Sequence, residues 1–257
     1  MDLEAVLANV RILRIFLVIF ENPRCLLCNK IWFIILLDGK NKKLYKNFLL
    51  LNSFVFLNAR NQKMSDKVYN DIISRRSIRR FRQKKIKRDL IEKMVNAARL
   101  APSAANLQPL EFVIVDEKEI CLKVFETLSW AGYLKDWNPS VDESPMAYIV
   151  ILVNDKKNPW YLRDVSFAAA NIVLTAENEG LGSCILCKFD KEKIREILDI
   201  PEEIIIDSIV ALGYKAEHPT VEDMVDSVKY WKDSQNVLHV PKRKLKDITH
   251  YNKYKKL

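Results

Sequence analysis

From residue 66 onward the chain alternates between segments whose apolar residues recur every three or four positions and short runs that are apolar throughout. Ser65 or Asp66 can cap a helix that places Val68, Ile72 and Ile73 on one face. A second helix is predicted from about Asp89, with Leu90, Ile91, Met94, Val95 and Ala98 at helical spacing; it stops before Pro102. Leu110–Val115 predicts a strand and Glu117–Leu128 a further helix. Ala147–Val153 is apolar at every position, as a strand buried on both faces would be. Asn158-Pro159 has the order of a helix start, a cap followed by Pro. That helix should run to about Asn178 and end at Gly180, with its Ala-rich middle, Phe167–Ala176, central and buried. Cys184–Cys187 then predicts a short strand, Lys191–Leu198 a helix and Ile204–Leu212 another buried strand. Beyond Gly213 the chain turns polar and closes with the basic stretch Lys242–Lys246. Helices mixed with three or four buried strands predict an α+β domain with a helical shell.

Residues 1–63 have another texture, with apolar runs at Ile15–Phe20, Ile31–Leu37 and Phe48–Leu51. Each run falls well short of the roughly 20 residues of a membrane span. Arg11 and Arg14 precede or enter the first stretch, Lys30 and Asp38 bracket the second, and no small-x-small cleavage site follows. The expectation is that the working protein begins at Met64, residues 1–63 being an over-extended reading frame, and that residues 65–254 form the functional domain. The alternative is a membrane-associating leader. No stable membrane association is expected.

The net charge of +9 resembles a nucleic-acid signal until it is divided. Residues 1–63 hold 10 basic and 4 acidic groups, leaving 32 (42 − 10) basic and 29 (33 − 4) acidic in the other 194, or +3. Mixed signs at that balance describe an ordinary solvated surface, so nucleic acid is not an expected partner. Glycine is scarce, 5 in 257 against a usual share of about 7%, and no two stand at the spacing of a Walker A loop or a Rossmann fingerprint. Any phosphate must therefore be held mainly by side chains. Three histidines, none paired at ligand spacing, give no metal centre, and neither Cys25-x-x-Cys28 nor Cys184-x-x-Cys187 has a companion at zinc-ribbon spacing. Five cysteines, an odd number, argue against a disulfide framework and for a reducing, cytoplasmic compartment.

Three segments place polar groups where turns are predicted. The first, Arg75-Arg76-Ser77-Ile78-Arg79-Arg80-Phe81, packs four arginines into six residues after the opening helix. Arginines at a helix C-terminus complement its dipole, but this number exceeds that role, and guanidinium forks with a serine hydroxyl suit phosphate. The second, Ala101-Pro102-Ser103-Ala104-Ala105-Asn106-Leu107-Gln108-Pro109, is an irregular loop between a helix and a strand. Asn106 and Gln108 offer both donors and acceptors, which fits a flat heterocycle; an Asx turn would account for Asn106 alone. The third, Glu179-Gly180-Leu181-Gly182-Ser183-Cys184, gathers two of the five glycines and allows close approach of a ligand or a neighbouring strand.

These three segments in this order, followed by Arg243 in a basic tail ending His250-Tyr251-Asn252, resemble the FMN-dependent nitroreductase family over about residues 65–254. The resemblance implies a central, mostly antiparallel sheet surrounded by helices, with a domain-exchanged C-terminal arm in a homodimer that holds FMN at its interface. It implies that Arg75, Ser77 and Arg243 hold the FMN phosphate and that Arg76 joins through its backbone. Arg79 matches a basic position beside the N1–C2=O edge, where a cation stabilises the anionic reduced flavin. Pro102, Ser103 and Ala104 match the loop along the ring, Asn106 and Gln108 reach ring or ribityl atoms, and Leu186-Cys187 fall near flavin N5. The implied activity is hydride transfer from NADH or NADPH to a nitroaromatic or quinone by a ping-pong mechanism. Dehalogenation or flavin-consuming chemistry in the same family, and a non-catalytic basic module binding phosphate or nucleic acid, are the alternatives. The chain departs from the family pattern at Leu110, where an aromatic is common, near Cys187-Lys188, where glycine is common, and in a tail without Pro after Arg243.

Overall fold

A computed structural model of the chain describes residues 66–254, apart from Asp136, Lys156 and Lys157, and the backbone of residues 15–20 and 31–36. The expected start at Met64 and the Ser65 cap lie outside the described residues. Two compact units divide the chain, Met1–Asp66 and Lys67–Leu257. In the first, β1 (Ile15–Phe20) pairs antiparallel with β2 (Ile31–Leu36), Ile15 opposite Leu36 and Phe20 opposite Ile31.

From residue 66 the described chain opens with α1 (66–74) and a two-residue strand, β3 (Phe81–Arg82). There follow α2 (Arg88–Arg99), β4 (Leu110–Val115), α3 (Lys118–Glu126), β5 (Ala147–Val153) and α4 (Tyr161–Asn178). Then come β6 (Leu181–Leu186), α5 (Lys191–Ile197) and β7 (Ile205–Lys215). The five strands β3 to β7 form one antiparallel sheet. Strand β7 is its hub, pairing with β5, β6 and β3, while β4 pairs with β5 at one edge. A second sheet of three strands is built from β8 (Thr220–Asp223), β9 (Trp231–Lys232) and β10 (Leu238–Lys242). Among the described residues no helix is long and apolar enough to cross a membrane.

Strand β5 explains why the core has two halves. Tyr148, Val150 and Leu152 enter one cluster with Val124 of α3 and Ile194 of α5. Ala147, Ile149, Ile151 and Val153 enter the other, with Ile91 and Met94 of α2 and Ala168, Ile172 and Ala176 of α4. Successive side chains of a strand point to opposite faces, so a run apolar at every position needs helices on both sides. Each such aliphatic side chain contributes about 1.5–3 kcal/mol on burial. In α2 the spacing of Ile91, Met94 and Ala98 turns one stripe toward α4.

Several elements differ from the pattern-based expectation, β7 among them, which runs on to Lys215 past the expected Leu212. Helix α4 starts at Tyr161, because Asn158 Oδ1 accepts from Trp160 N at 2.9 Å and spends its capping capacity on the preceding turn. Strand β6 begins at Leu181 rather than Cys184, since Gly182 and Ser183 pair with β7 despite their weak strand propensity. Strands β3, β8, β9 and β10 were not expected; they are short, polar or edge-placed, and only their partners define them.

Candidate functional site

The arginine segment is anchored by its two apolar residues. Arg75 N donates to Asp71 O at 3.0 Å as α1 ends, and the chain then runs beside β6, with Ile78 N donating to Ser183 O at 2.9 Å. Ile78 and Phe81 are buried. They sit over Gly182 and Gly213, which face each other across β6 and β7. A Cβ on Gly182 would lie 2.9 Å from Ile78, and one on Gly213 would lie 2.6 Å from Phe81 Cδ1. The two glycines therefore form a trough for the anchors. The glycine-rich third segment serves the first segment, through close approach of Ile78.

With Ile78 and Phe81 fixed, the cations before and between them are displayed in different directions. Arg75 and Ser77 line a cavity of about 510 Å³ together with Ser183 and Ile185 of β6 and the Ser166–Leu174 face of α4. Among the described residues Arg75 makes no ion pair. Arg76 donates to Arg75 O, and its Nε is buried without a partner. Burial, then the neighbouring Arg75, lowers the Arg76 pKa from the usual arginine value, opposed by Glu177. Arg79 N donates to Glu217 Oε1, its guanidinium lies 5.1 Å from the centre of the Tyr230 ring, and its Nε is buried without a partner. Arg80 is spent structurally: Nε and Nη2 both reach Glu143 Oε1, the former at 2.8 Å.

The second segment is held by α4 and by its own strain. Ala104 N donates to Asp164 Oδ1 at 3.0 Å, and Asp164, in the first turn of α4, is 2% exposed with Oδ2 lacking a partner. Ser103, not Asn106, makes the local turn, its Oγ accepting from Gln108 N at 3.1 Å. Ala105, Asn106 and Gln108 all have left-handed backbones, with φ of 50°, 56° and 49°. Such a conformation costs an L-residue about 1–2 kcal/mol, and clusters of it mark loops over-determined by their surroundings. Pro102, Asn106 and Gln108 are exposed, while Ser103 and Ala104 are half-buried.

Within one chain these residues do not all converge. Arg75 and Ser77 share the cavity with Ser183, and Arg76 adjoins them; Pro102, Ser103, Ala104, Asn106, Gln108, Leu186, Cys187 and Arg243 do not line it. Leu186 is buried at the end of β6 and Cys187 is exposed just beyond it. Partial loss of solvent around its sulfur, then Asp207, raises the Cys187 thiol pKa, and Lys191 opposes them. Arg243 is exposed and donates from Nη2 to Asp247 O at 2.8 Å. Sequence reasoning missed Asp164, Glu217 and Tyr230. Only Asp164 carried a signal, an acidic residue at the start of an otherwise apolar helix.

Comparison with known proteins places this geometry in context. Residues 72–214 match the model of the nitroreductase family. A protein of Methanothermobacter thermautotrophicus described as an NADH dehydrogenase/NAD(P)H nitroreductase is 33% identical over 165 residues, 62% of this chain and 83% of that protein. An iodotyrosine deiodinase of Thermotoga neapolitana is 26% identical over 180 residues, 62% of this chain and 96% of that one. Among solved structures, an FMN-dependent nitroreductase from Clostridium difficile R20291 superposes with a TM-score of 0.53 at 26% identity, covering 72% of this chain and 99% of that one.

Proposed function

Because the chain belongs to the nitroreductase family, we propose that it is an FMN-dependent oxidoreductase. It takes reducing equivalents from NADH or NADPH and passes them to a nitroaromatic or quinone in a ping-pong sequence. The observation that carries this reading is the donor set of Arg75, Ser77 and Ser183 around one cavity, in a segment where the buried Nε atoms of Arg76 and Arg79 have no partner. A cationic site made by side chains, in a chain without a glycine-rich phosphate loop, suits a phosphate monoester.

When bound, FMN supplies the two-electron hydride chemistry, so the protein's task is binding, orientation and electrostatics. Arg75, Ser77 and Ser183 would hold the phosphate, with Arg76 joining through its backbone. Arg79, a fixed cation whose ring-stacked guanidinium is partly desolvated, favours negative charge on the pyrimidine edge. Ser103, Asn106 and Gln108 supply donors and acceptors for ring and ribityl atoms, Pro102 and Ala104 shape that loop, and Leu186 and Cys187 offer backbone beside the ring.

A second copy of the chain completes the site in this reading. Val68, Tyr69, Ile72 and Ile73 of α1 and Leu162 and Phe167 of α4 are 48–64% exposed, a large apolar area for an isolated protein. The C-terminal arm, with Arg243, would cross to the partner. We assign residues 65–254 as the working domain, in the cytoplasm; the free thiols Cys121, Cys184 and Cys187 accord with a reducing compartment. Stopped-flow oxidation of NADH and NADPH, followed by an acceptor screen with nitroaromatics, quinones and iodotyrosine, tests the assignment. Turnover with nitroaromatics or quinones is expected. Turnover with iodotyrosine alone would favour the second reading, reductive dehalogenation, to which the Thermotoga relative points.

A further inference from the structure

The three-stranded sheet has a two-sided strand. Tyr230, immediately before β9, and Lys232 face one way and Trp231 the other, in the alternation of an extended chain. Tyr230 lies under the Arg79 guanidinium, packs on Tyr133 with ring centres 4.9 Å apart, and accepts at its hydroxyl from Tyr133 N at 3.2 Å. The Lys232 ammonium stands 4.3 Å from the centre of the Trp137 ring. This side of β9 therefore carries Arg79 and the loop through Tyr133 and Trp137.

The other side is closed by His239. It pairs directly opposite Trp231 in the β9–β10 ladder, and the two rings stack at 4.2 Å with 16° between planes. The groups facing the imidazole are Glu222 from β8, Trp231 from β9, and Asp233 from the turn that follows it. Nδ1 is 3.0 Å from Glu222 Oε2 and Nε2 is 3.3 Å from Asp233 Oδ2. Both carboxylates are fixed by other donors: Trp231 Nε1 to Glu222 Oε1 at 2.9 Å, and Gln235 N and Val237 N to Asp233 Oδ1 at 2.9 and 2.8 Å. An ionised carboxylate only accepts, and a neutral imidazole has one donor. Only the imidazolium satisfies both contacts; the neutral ring turns a lone pair toward one of two fixed anions.

We propose that His239 is a proton-dependent clamp on β9 and that, through Tyr230, it positions Arg79, making His239 and Tyr230 positioning residues of the site. Its consequence for the flavin rests on the reading of Arg79 given above. Hydrogen bonds donated to Glu222 and then to Asp233 raise the His239 pKa above the ordinary imidazole value, against the loss of solvent. A raised value in the folded state fixes the sign: the clamp is complete below the ordinary value and is lost as pH rises through the raised one.

The test has two arms on the full-length flavoprotein. In the first, the imidazole C2–H of His239, assigned by its absence in His239→Gln, is titrated by NMR. A midpoint above about 6.5 is expected, falling toward that value in Glu222→Gln, which leaves an acceptor for Trp231. A midpoint at or below about 6.5 in the wild type overturns the clamp. In the second, flavin midpoint potentials are measured with FMN bound. Tyr230→Leu should lower the reduction equilibrium about tenfold, equivalent to roughly 30 mV for a two-electron couple, and Tyr230→Phe should retain the wild-type value. The gap between wild type and His239→Gln should be present well below the His239 midpoint and vanish well above it. If Arg79→Gln shifts the potential while Tyr230→Leu does not, the positioning role is overturned and the reading of Arg79 stands. If Arg79→Gln shifts nothing, that reading falls instead, and the NMR arm still decides the clamp.

Discussion

The two polar segments assigned to the flavin are held in opposite ways. Residues 75–81 are pinned by burial: Ile78 and Phe81 fill the trough over Gly182 and Gly213, and the cations follow from where those anchors sit. Residues 102–108 have no buried side-chain anchor; one hydrogen bond to Asp164 and a Ser103 turn hold three left-handed residues. The difference teaches that a phosphate site made of long, flexible cations needs a rigid base. A loop offered to a flat ligand and a second subunit can instead carry strain until its surroundings complete it.

The comparison breaks most visibly at the base. Gly213→Val puts carbon where Phe81 already is, so it should destabilise the fold at the upper end of the ~1–3 kcal/mol typical of overpacking. It should also release the cofactor. Thermal unfolding and flavin retention after gel filtration would show both; unchanged stability would mean that the anchors do not set the segment. Next in size, Arg75→Ala removes a charge-assisted contact and should weaken FMN binding by about 1.5–3 kcal/mol with little change in melting temperature. Equal affinity by fluorescence titration would remove Arg75 from the phosphate site.

Most of this architecture is legible from residue patterns, for reasons the two segments illustrate. Ala147–Val153 announces itself because burial on every face leaves no polar position to confuse the period; Phe167–Ala176, expected to be buried throughout, buries only the stripe of Ala168, Ala169, Ile172, Val173 and Ala176 and leaves Phe167 and Ala170 exposed. The arginine cluster is equally plain as chemistry. What pattern does not reveal is how distant residues meet. Gly182 and Gly213 are about thirty positions apart, and only the β6–β7 register brings them together beneath Ile78 and Phe81. Likewise, Asp164 reads as one more helix residue until Ala104 arrives, and His239 as an isolated histidine until β8 and β9 bring Glu222 and Asp233. Strand pairing of two-residue pieces such as β3 and β9 is set by partners, not by local propensity.

Two smaller effects sharpen the contrast. Arg79→Gln keeps a hydrogen-bond donor but loses the charge, so oxidised FMN should bind within a few-fold of wild type. Losing about 1–2 kcal/mol of stabilisation of the reduced state should lower the potential by some tens of millivolts, at roughly 30 mV per 1.4 kcal/mol. Spectroelectrochemistry giving equal potentials would make Arg79 a bystander. At the strained loop, Ala105→Gly should change stability by no more than about 1 kcal/mol, because relief of the left-handed penalty offsets the greater chain entropy of glycine. Ala105→Val should be measurably destabilising in the same denaturation experiment; equality of the two would show that the loop relaxes freely.

The central claim is that Arg75, Arg76 and Ser77 hold a flavin phosphate while Arg79 faces the pyrimidine edge, and the absorption spectrum of the purified full-length protein tests it most directly. The account predicts flavin bands at close to one FMN per chain, bleached on anaerobic addition of NADH or NADPH and restored by a quinone or nitroaromatic. A colourless protein that takes up no added FMN, yet binds nucleic acid with a steep salt dependence, would contradict it.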